Sequence, residues 1–294
     1  MQTQNHIKQV KRYVLIAILG AMLVLQGCQG SKRRSAVELT PIANPINLSR
    51  VWSVSLGKSI QYAFKPILIG SDIYASAQNG DVYRIDASSG KVMWSASAPK
   101  DISTGPGSDG NILVVGGIKG DIYAFDAQTG AKKWEASVGT EVLTEPLVAA
   151  GVAVIRTIDN RFIGLEAATG KRLWVVTKNP SVLSIRTSYS MASINNEVIF
   201  TGFSNGQFGL LSLANGNTIW ESLLAPPRGT SEIERLSDIT AKPTLLGLRM
   251  CAVSYQGKIG CGDIKNAKMS WVKDFSSFTG TTQSADAVYA VNDK

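Results

Sequence analysis

Apolar and polar residues alternate with a period of two over 73–76 and 82–85, the pattern of half-buried strands facing a core on one side. The same pattern returns over 112–134, 152–174, 198–220 and 250–271, each time ending on tryptophan. From turn residue to tryptophan the spacing is 14 in all five copies, from Gly80 to Trp94, Gly120 to Trp134, Asn160 to Trp174, Gly206 to Trp220 and Gly257 to Trp271. Asn79-Gly80 predicts a two-residue hairpin turn, whose central positions both need positive φ. Asn160 stands for glycine in the third copy, and asparagine tolerates that conformation next best.

A second turn is predicted inside each copy. Eight residues before the tryptophans stand Asp86, Asp126, Glu166, Ser212 and Asp263, and four before them Gly90, Gly130, Gly170 and Gly216. A short acceptor side chain there ties down backbone N–H groups while glycine takes the left-handed position. Ala267 replaces glycine in the fifth copy, which is expected to be looser. Pro66, Pro106, Pro146 and Pro243 each lie 14 residues before the turn residue and mark the start of a first strand.

One unit is therefore four short antiparallel strands in about 40 residues, the signature of a β-propeller blade. The predicted class is all-β, with a solenoid of stacked hairpins as the competing architecture. All six tryptophans, at 52, 94, 134, 174, 220 and 271, belong to the series and are read as packing between neighbouring blades. Residues 50–54 look like a fourth strand without its first three, the piece that completes the last blade of a closed ring. After Trp271 a sixth unit begins, and residues 287–290 match 73–74 in register before the chain stops at Lys294. About five and a half blades are present in residues 50–294. An open ring would leave an unpaired strand edge, so the expectation is a C-terminally truncated record of a longer protein, lacking on the order of 100 residues if the ring has eight blades of this period.

The N-terminus reads differently. Lys8, Lys11 and Arg12, an apolar run over 14–25 and then Gln26-Gly27-Cys28 describe a secretory signal over residues 1–27. The apolar run is shorter than the ~20 residues a membrane span needs. Residues 25–28 resemble a bacterial lipobox, which implies acylation of Cys28 as the new N-terminus, and by resemblance to sorting rules in enteric bacteria Gln29 implies delivery to the outer membrane. Residues 28–49 are polar, basic and proline-punctuated, and read as a tether.

Composition narrows the chemistry. Loss of the signal removes Lys8, Lys11 and Arg12 and no acid, so the formal charge falls from +8 to +5. No stripe of basic and aromatic residues argues for nucleic acid. The only histidine is His6, inside the signal, so the mature chain has no Ser-His-Asp machinery, histidine metal ligand or imidazole base. Its acids sit at repeat-equivalent turns, where capping explains them, and no catalytic constellation, metal site or cofactor site is predicted. Cys251 and Cys261 lie on the two arms of one hairpin. With a two-residue turn at Gln256-Gly257, residue 252 faces 261, and a disulfide needs a register shift of one.

The repeat is broken in two places. Tryptophan spacings run 42, 40, 40, 46 and 51, so extra residues enter the links before the fourth and fifth blades, at 179–186 and 226–240. In a propeller both links emerge on the face that carries the hairpin turns, and long loops on a rigid scaffold commonly bind a partner.

The lipobox, the tryptophan-closed repeats with D-A-x-[ST]-G, the Leu183-Ser184-Ile185-Arg186 link and the 231–238 stretch SEIERLSD together resemble the BamB family, propeller lipoproteins of the bacterial outer-membrane β-barrel assembly machinery. The resemblance implies an eight-bladed, non-enzymatic scaffold, anchored to the outer membrane at Cys28 and facing the periplasm. Its partners would be the periplasmic POTRA domains of BamA, other subunits of the machinery and unfolded outer-membrane proteins. Leu183, Ile185, Arg186 and Asp238 match the family's BamA-contact positions, whereas Thr240 stands where the family more often has a second acid. The apolar pair beside a cation and a carboxylate fits a hot spot, with charge-assisted hydrogen bonds to the partner. Two readings compete. A quinoprotein dehydrogenase shares the propeller and tryptophan motifs, but should show adjacent cysteines, a calcium-binding acid cluster and an axial carboxylate. A propeller lipoprotein for another cell-envelope ligand should show aromatic residues lining one face.

Overall fold

Each repeat folds into its own antiparallel sheet, and the hairpin at its centre sets the register. The computed structural model describes residues 46, 48–57, 61–178, 183–187, 189–266 and 268–292. Cys28, the signal and most of the tether lie outside them. Within the unit Leu48–Lys294, the first sheet holds β1 (Ile67–Ile69), β2 (Asp72–Ser76), β3 (Asp81–Asp86) and β4 (Val92–Ser97) in sequence order. The second sheet follows with β5 (Gly107–Ser108), β6 (Ile112–Gly116), β7 (Asp121–Asp126) and β8 (Lys132–Ser137). The third is built from β9 (Leu147–Ala149), β10 (Val152–Arg156), β11 (Arg161–Glu166) and β12 (Arg172–Thr177). Then come β13 (Met191–Ile194), β14 (Val198–Gly202), β15 (Gln207–Ser212) and β16 (Thr218–Leu223), and β17 (Thr244–Leu246), β18 (Arg249–Val253), β19 (Lys258–Asp263) and β20 (Lys268–Asp274). The pair β21 (Thr281–Gln283) and β22 (Val288–Ala290) begins the sixth unit. Pro66, Pro106, Pro146 and Pro243 each sit immediately before the innermost strand of a sheet, where no ladder hydrogen bond is lost.

The hairpin turns are one residue longer than expected. Ala77 N–H donates to Asp81 O at 2.8 Å and Gly80 N–H to Ala77 O at 3.0 Å, which encloses Gln78, Asn79 and Gly80. Gly80 has φ +96°, whereas Asn79 is not among the positive-φ residues, so the loop is the three-residue form with only its last position left-handed. Asn160, at φ +61°, fills that position in the third blade.

The same extra residue corrects the cysteine geometry. Ser254 N–H bonds Lys258 O at 2.9 Å, and the ladder places Cys251 opposite Cys261 rather than residue 252. Their Cα atoms are 4.1 Å apart and the sulfurs are joined. The bridge closes a loop with a sequence separation of 10, for which chain entropy gives about 2–3 kcal/mol. A Cys251→Ala/Cys261→Ala variant is expected to lose about that much, read as a drop in urea midpoint.

Sheets stack face to face around a shared axis, and a hydrophobic cluster fills each of the four seams between the five four-stranded sheets. Tyr74 and Val82 of the first sheet meet Leu113, Val115 and Phe125 of the second. Ile122 and Trp134 meet Ala153, Ile163 and Leu165. Phe162 meets Ile199 and Leu211, and Phe200 and Phe208 meet Met250 and Ala252. The innermost strands converge on one channel lined by Ile67, Leu68, Gly107, Leu147 and Met191. That radial arrangement is a β-propeller and removes the solenoid alternative.

The tryptophans latch these seams. A one-residue bulge before Trp94, Trp134, Trp174, Trp220 and Trp271 shifts the register of each outer strand. In the first four of the six, Nε1 donates forward into the next blade, from Trp52 to Ala87 O at 3.1 Å, Trp94 to Ala127 O at 3.1 Å, Trp134 to Ala167 O at 2.8 Å and Trp174 to Leu213 O at 3.2 Å. The ring lies flat on the next blade's turn glycine. A Cβ added at Gly170, where φ is +76°, would come within 2.6 Å of the Trp134 ring. The acid of the same turn does the capping expected of it. Asp86 Oδ1 accepts from Ser88 Oγ, Ser89 Oγ and Ser89 N–H at 2.6–2.8 Å, and these bonds, the Ser88 hydroxyl first, hold its carboxyl down at about 2. Ala267 lies outside the described residues.

Candidate docking surface

Both long links fold onto one buried carboxylate. The second begins with its own tie, in which the Glu234 carboxylate accepts from Thr230 N–H at 2.9 Å and Ser231 N–H at 3.2 Å while Ser231 Oγ accepts from Glu234 N–H at 3.3 Å. This is the reciprocal geometry of a capping box, and it lowers the Glu234 carboxyl, through the Thr230 N–H above all. The chain then leaves Ile233 67% exposed before residues 237–240 turn inward.

Asp238 is fully buried. Its Oδ2 accepts from Ile185 N–H at 2.7 Å and from the Tyr189 hydroxyl at 2.6 Å, and its Oδ1 accepts from Asn205 N–H at 3.1 Å. Its own carbonyl accepts from Tyr255 N–H at 2.9 Å. One residue thus ties the first link to the hairpins of the fourth and fifth blades. The charge-assisted hydrogen bonds expected of Asp238 are made within the chain. Thr240, at the position of the family's second acid, is also buried, and its carbonyl accepts from Ser190 N–H at 3.1 Å.

The first link presents the other predicted residues outward. Leu183 is 40% exposed, Ile185 is half-buried and Arg186 is exposed. Arg186 forks onto Glu141, with Nε to Oε2 at 3.1 Å and Nη2 to Oε1. Glu141 belongs to the short link before the third blade, and its carbonyl accepts from Ile158 N–H at 3.0 Å in the neighbouring hairpin. The fork occupies one edge of the guanidinium and leaves further N–H groups for an acceptor on a partner.

Beneath the first link lies a residue that the sequence reading passed over. Arg156 is 1% exposed. Nη1 donates to Gly202 O at 2.7 Å and Thr201 Oγ1 at 3.1 Å, and Nη2 donates to Asn160 Oδ1 at 3.4 Å. The guanidinium carbon stands 4.3 Å from the ring centre of Tyr189, 4.9 Å from Phe162 and 5.7 Å from Phe203. Burial pulls Arg156 down to about 10 and raises the Tyr189 hydroxyl above its ordinary value. A cation whose folded value is depressed costs stability at every pH below that value, and the cost is relieved only as pH rises toward the unfolded value. A signal was present in the sequence, because the equivalent positions hold Ser76, Gly116, Gly202 and Val253.

Comparison with known proteins places this architecture. Residues 50–294 match the family described as "Outer membrane protein assembly factor BamB". Relatives carrying that name include those of Burkholderia pseudomallei, 35% identical over 97% of this chain and 75% of that protein, and Alkalilimnicola ehrlichii, 43% identical over 98% and 75%. The chain thus spans about three quarters of their length. Among solved structures, BamB from Moraxella catarrhalis superposes with a TM-score of 0.71 at 24% identity, covering 80% of this chain and 71% of that one. A quinohemoprotein alcohol dehydrogenase from Comamonas testosteroni reaches a TM-score of 0.57 at 15% identity, covering 71% and 42%, a likeness of fold alone. On the family match and these relatives, the chain belongs to the BamB family of outer membrane protein assembly factors.

Proposed function

We propose that this protein is a non-enzymatic scaffold of the outer-membrane β-barrel assembly machinery, anchored at Cys28 with its propeller in the periplasm. It docks the POTRA domains of BamA, sits among the other subunits, and helps present unfolded outer-membrane proteins. The observation that carries the docking reading is the shared clamp at Asp238. Two insertions in an otherwise regular repeat are tied to one carboxylate, and this fixes Leu183, Ile185 and Arg186 as one surface of apolar anchors beside a planar cation. Asp238 serves that surface by positioning it. Client chains have a separate place to bind, because the outer strands β4, β12 and β16 expose Met93, Leu173 and Ile219 and an edge strand can pair with an extended segment.

The test is affinity purification of the tagged protein from detergent-solubilised membranes, beside a Leu183→Ala/Arg186→Ala variant. BamA is expected to co-elute with the wild type, and the variant to bind about 100-fold more weakly. A folded wild type that brings down no BamA sinks the scaffold reading. Equal recovery by the variant moves the docking surface elsewhere.

A further inference from the structure

The geometry points to Arg156 as a positioning residue that holds the first link in its docking-ready conformation through Tyr189 and Asp238. This inference rests on the docking reading for its consequence, although its structural half stands apart from it. Three observations carry it.

The first is the break in the repeat. Ser76, Gly116, Gly202 and Val253 stand where Arg156 does, so a small or apolar side chain suffices at this point of a blade. The second is that the cation is buried among hydrogen-bond acceptors that are a carbonyl, a hydroxyl and a side-chain amide, none of them a carboxylate. A desolvated charge so placed weakens the fold relative to a well-packed apolar side chain of similar volume. Its presence where the other blades do without a charge therefore points to a gain other than stability.

The third observation supplies that gain. Tyr189 lies between two charges, with its ring face on the Arg156 guanidinium at 4.3 Å and its hydroxyl donating to Asp238 at 2.6 Å. The cation–π contact fixes the plane of the ring, and the ring aims its hydroxyl at the carboxylate. Asp238 is then held where its Oδ2 also takes the Ile185 N–H at 2.7 Å. Arg156 also contributes the positive charge that a buried carboxylate needs nearby. Without it the clamp loses both its orientation and its charge balance, and residues 183–186 lose the fixed backbone that presents Leu183 and Arg186.

The experiment compares the mature wild type with Arg156→Met, which fills the site without charge, and with Tyr189→Phe, which removes only the hydroxyl. Three quantities are read: the thermal midpoint, amide hydrogen exchange at Ile185 and Asn205, and binding to purified BamA POTRA domains. For Arg156→Met, which leaves the buried Asp238 without a nearby cation, the midpoint should fall by no more than about 10 °C. Below that midpoint, Ile185 should exchange about tenfold faster or more than the other amides of the third and fourth blades, and POTRA binding should weaken by about tenfold or more. A merely structural role would move the midpoint and leave Ile185 no more affected than the rest of the third and fourth blades. A folded Arg156→Met protein with wild-type exchange at Ile185 and wild-type binding overturns the inference. If Arg156→Met does not fold, Tyr189→Phe decides, because unchanged exchange at Ile185 there overturns it equally. Should the wild type itself fail to bind POTRA domains, the docking reading falls, and Ile185 exchange still reports whether Arg156 positions the link.

Discussion

An Asp238→Ala variant is expected to lose both stability and partner binding. The substitution removes the acceptor of three hydrogen bonds and leaves the buried Arg156 without the carboxylate that faces it across Tyr189. Removing one member of a buried charged network costs about 3–5 kcal/mol, which in a domain of this size lowers the thermal midpoint by about 10 °C. BamA should be absent from the purified variant even below that midpoint, because Ile185 N–H has lost its anchor. Asp238→Asn keeps the shape and one acceptor oxygen, and should fall between the two proteins on both measurements. A variant with alanine at 238 and an unchanged midpoint would show that the clamp is dispensable.

A Trp134→Ala variant tests the seams in the same way. Trp134 is buried, donates to Ala167 O at 2.8 Å and covers Gly170. Truncating a buried tryptophan costs about 3–5 kcal/mol, and here the loss falls on the contact between the second and third blades. The expected result is a lower denaturant midpoint with a broadened transition, as blades on either side of the seam begin to unfold separately. Gly170→Ala attacks the same latch from the other side, through a Cβ 2.6 Å from the Trp134 ring and a backbone at φ +76°. It should destabilise in the same direction without touching the tryptophan. If both variants unfold as the wild type does, the tryptophan series is not what joins the blades.

How far such features could be read from sequence depended on how local their causes are. The strands of the five full units, the proline starts and the acid-to-glycine turns follow from spacings of a few residues, and the structure places them as expected. Residues 50–54, read as a lone outer strand, form no strand, because no neighbouring strand among the described residues offers them a ladder. The hairpins did not yield to the same reasoning. Asn-Gly fits a two-residue loop and equally the last two places of a three-residue loop, and the two differ in the φ of Asn79 and by one residue in the pairing across the hairpin. That single residue of register decided whether Cys251 and Cys261 faced each other. The docking links were legible because insertions interrupt a constant period. The direction of Asp238 was not, since an aspartate in a link reads the same whether it faces solvent or a backbone N–H 53 residues away. Arg156 was visible as a break in the repeat, but its aromatic surroundings come from two different blades and assemble only on folding.

The tryptophan latch also bears on how such a protein can change its size. Each latch joins the end of one period to the turn of the next, so the stretch copied in the gene and the stretch stabilised in the molecule are offset from one another. Duplicating or deleting one whole period of about 40 residues, at any point in the regular part of the chain, brings a tryptophan against a waiting glycine at the new junction. A unit added or removed at that period therefore meets a compatible interface at its new junction. The two irregular links form the stretch where that freedom ends, because Asp238 commits the fourth blade to particular neighbours on both sides.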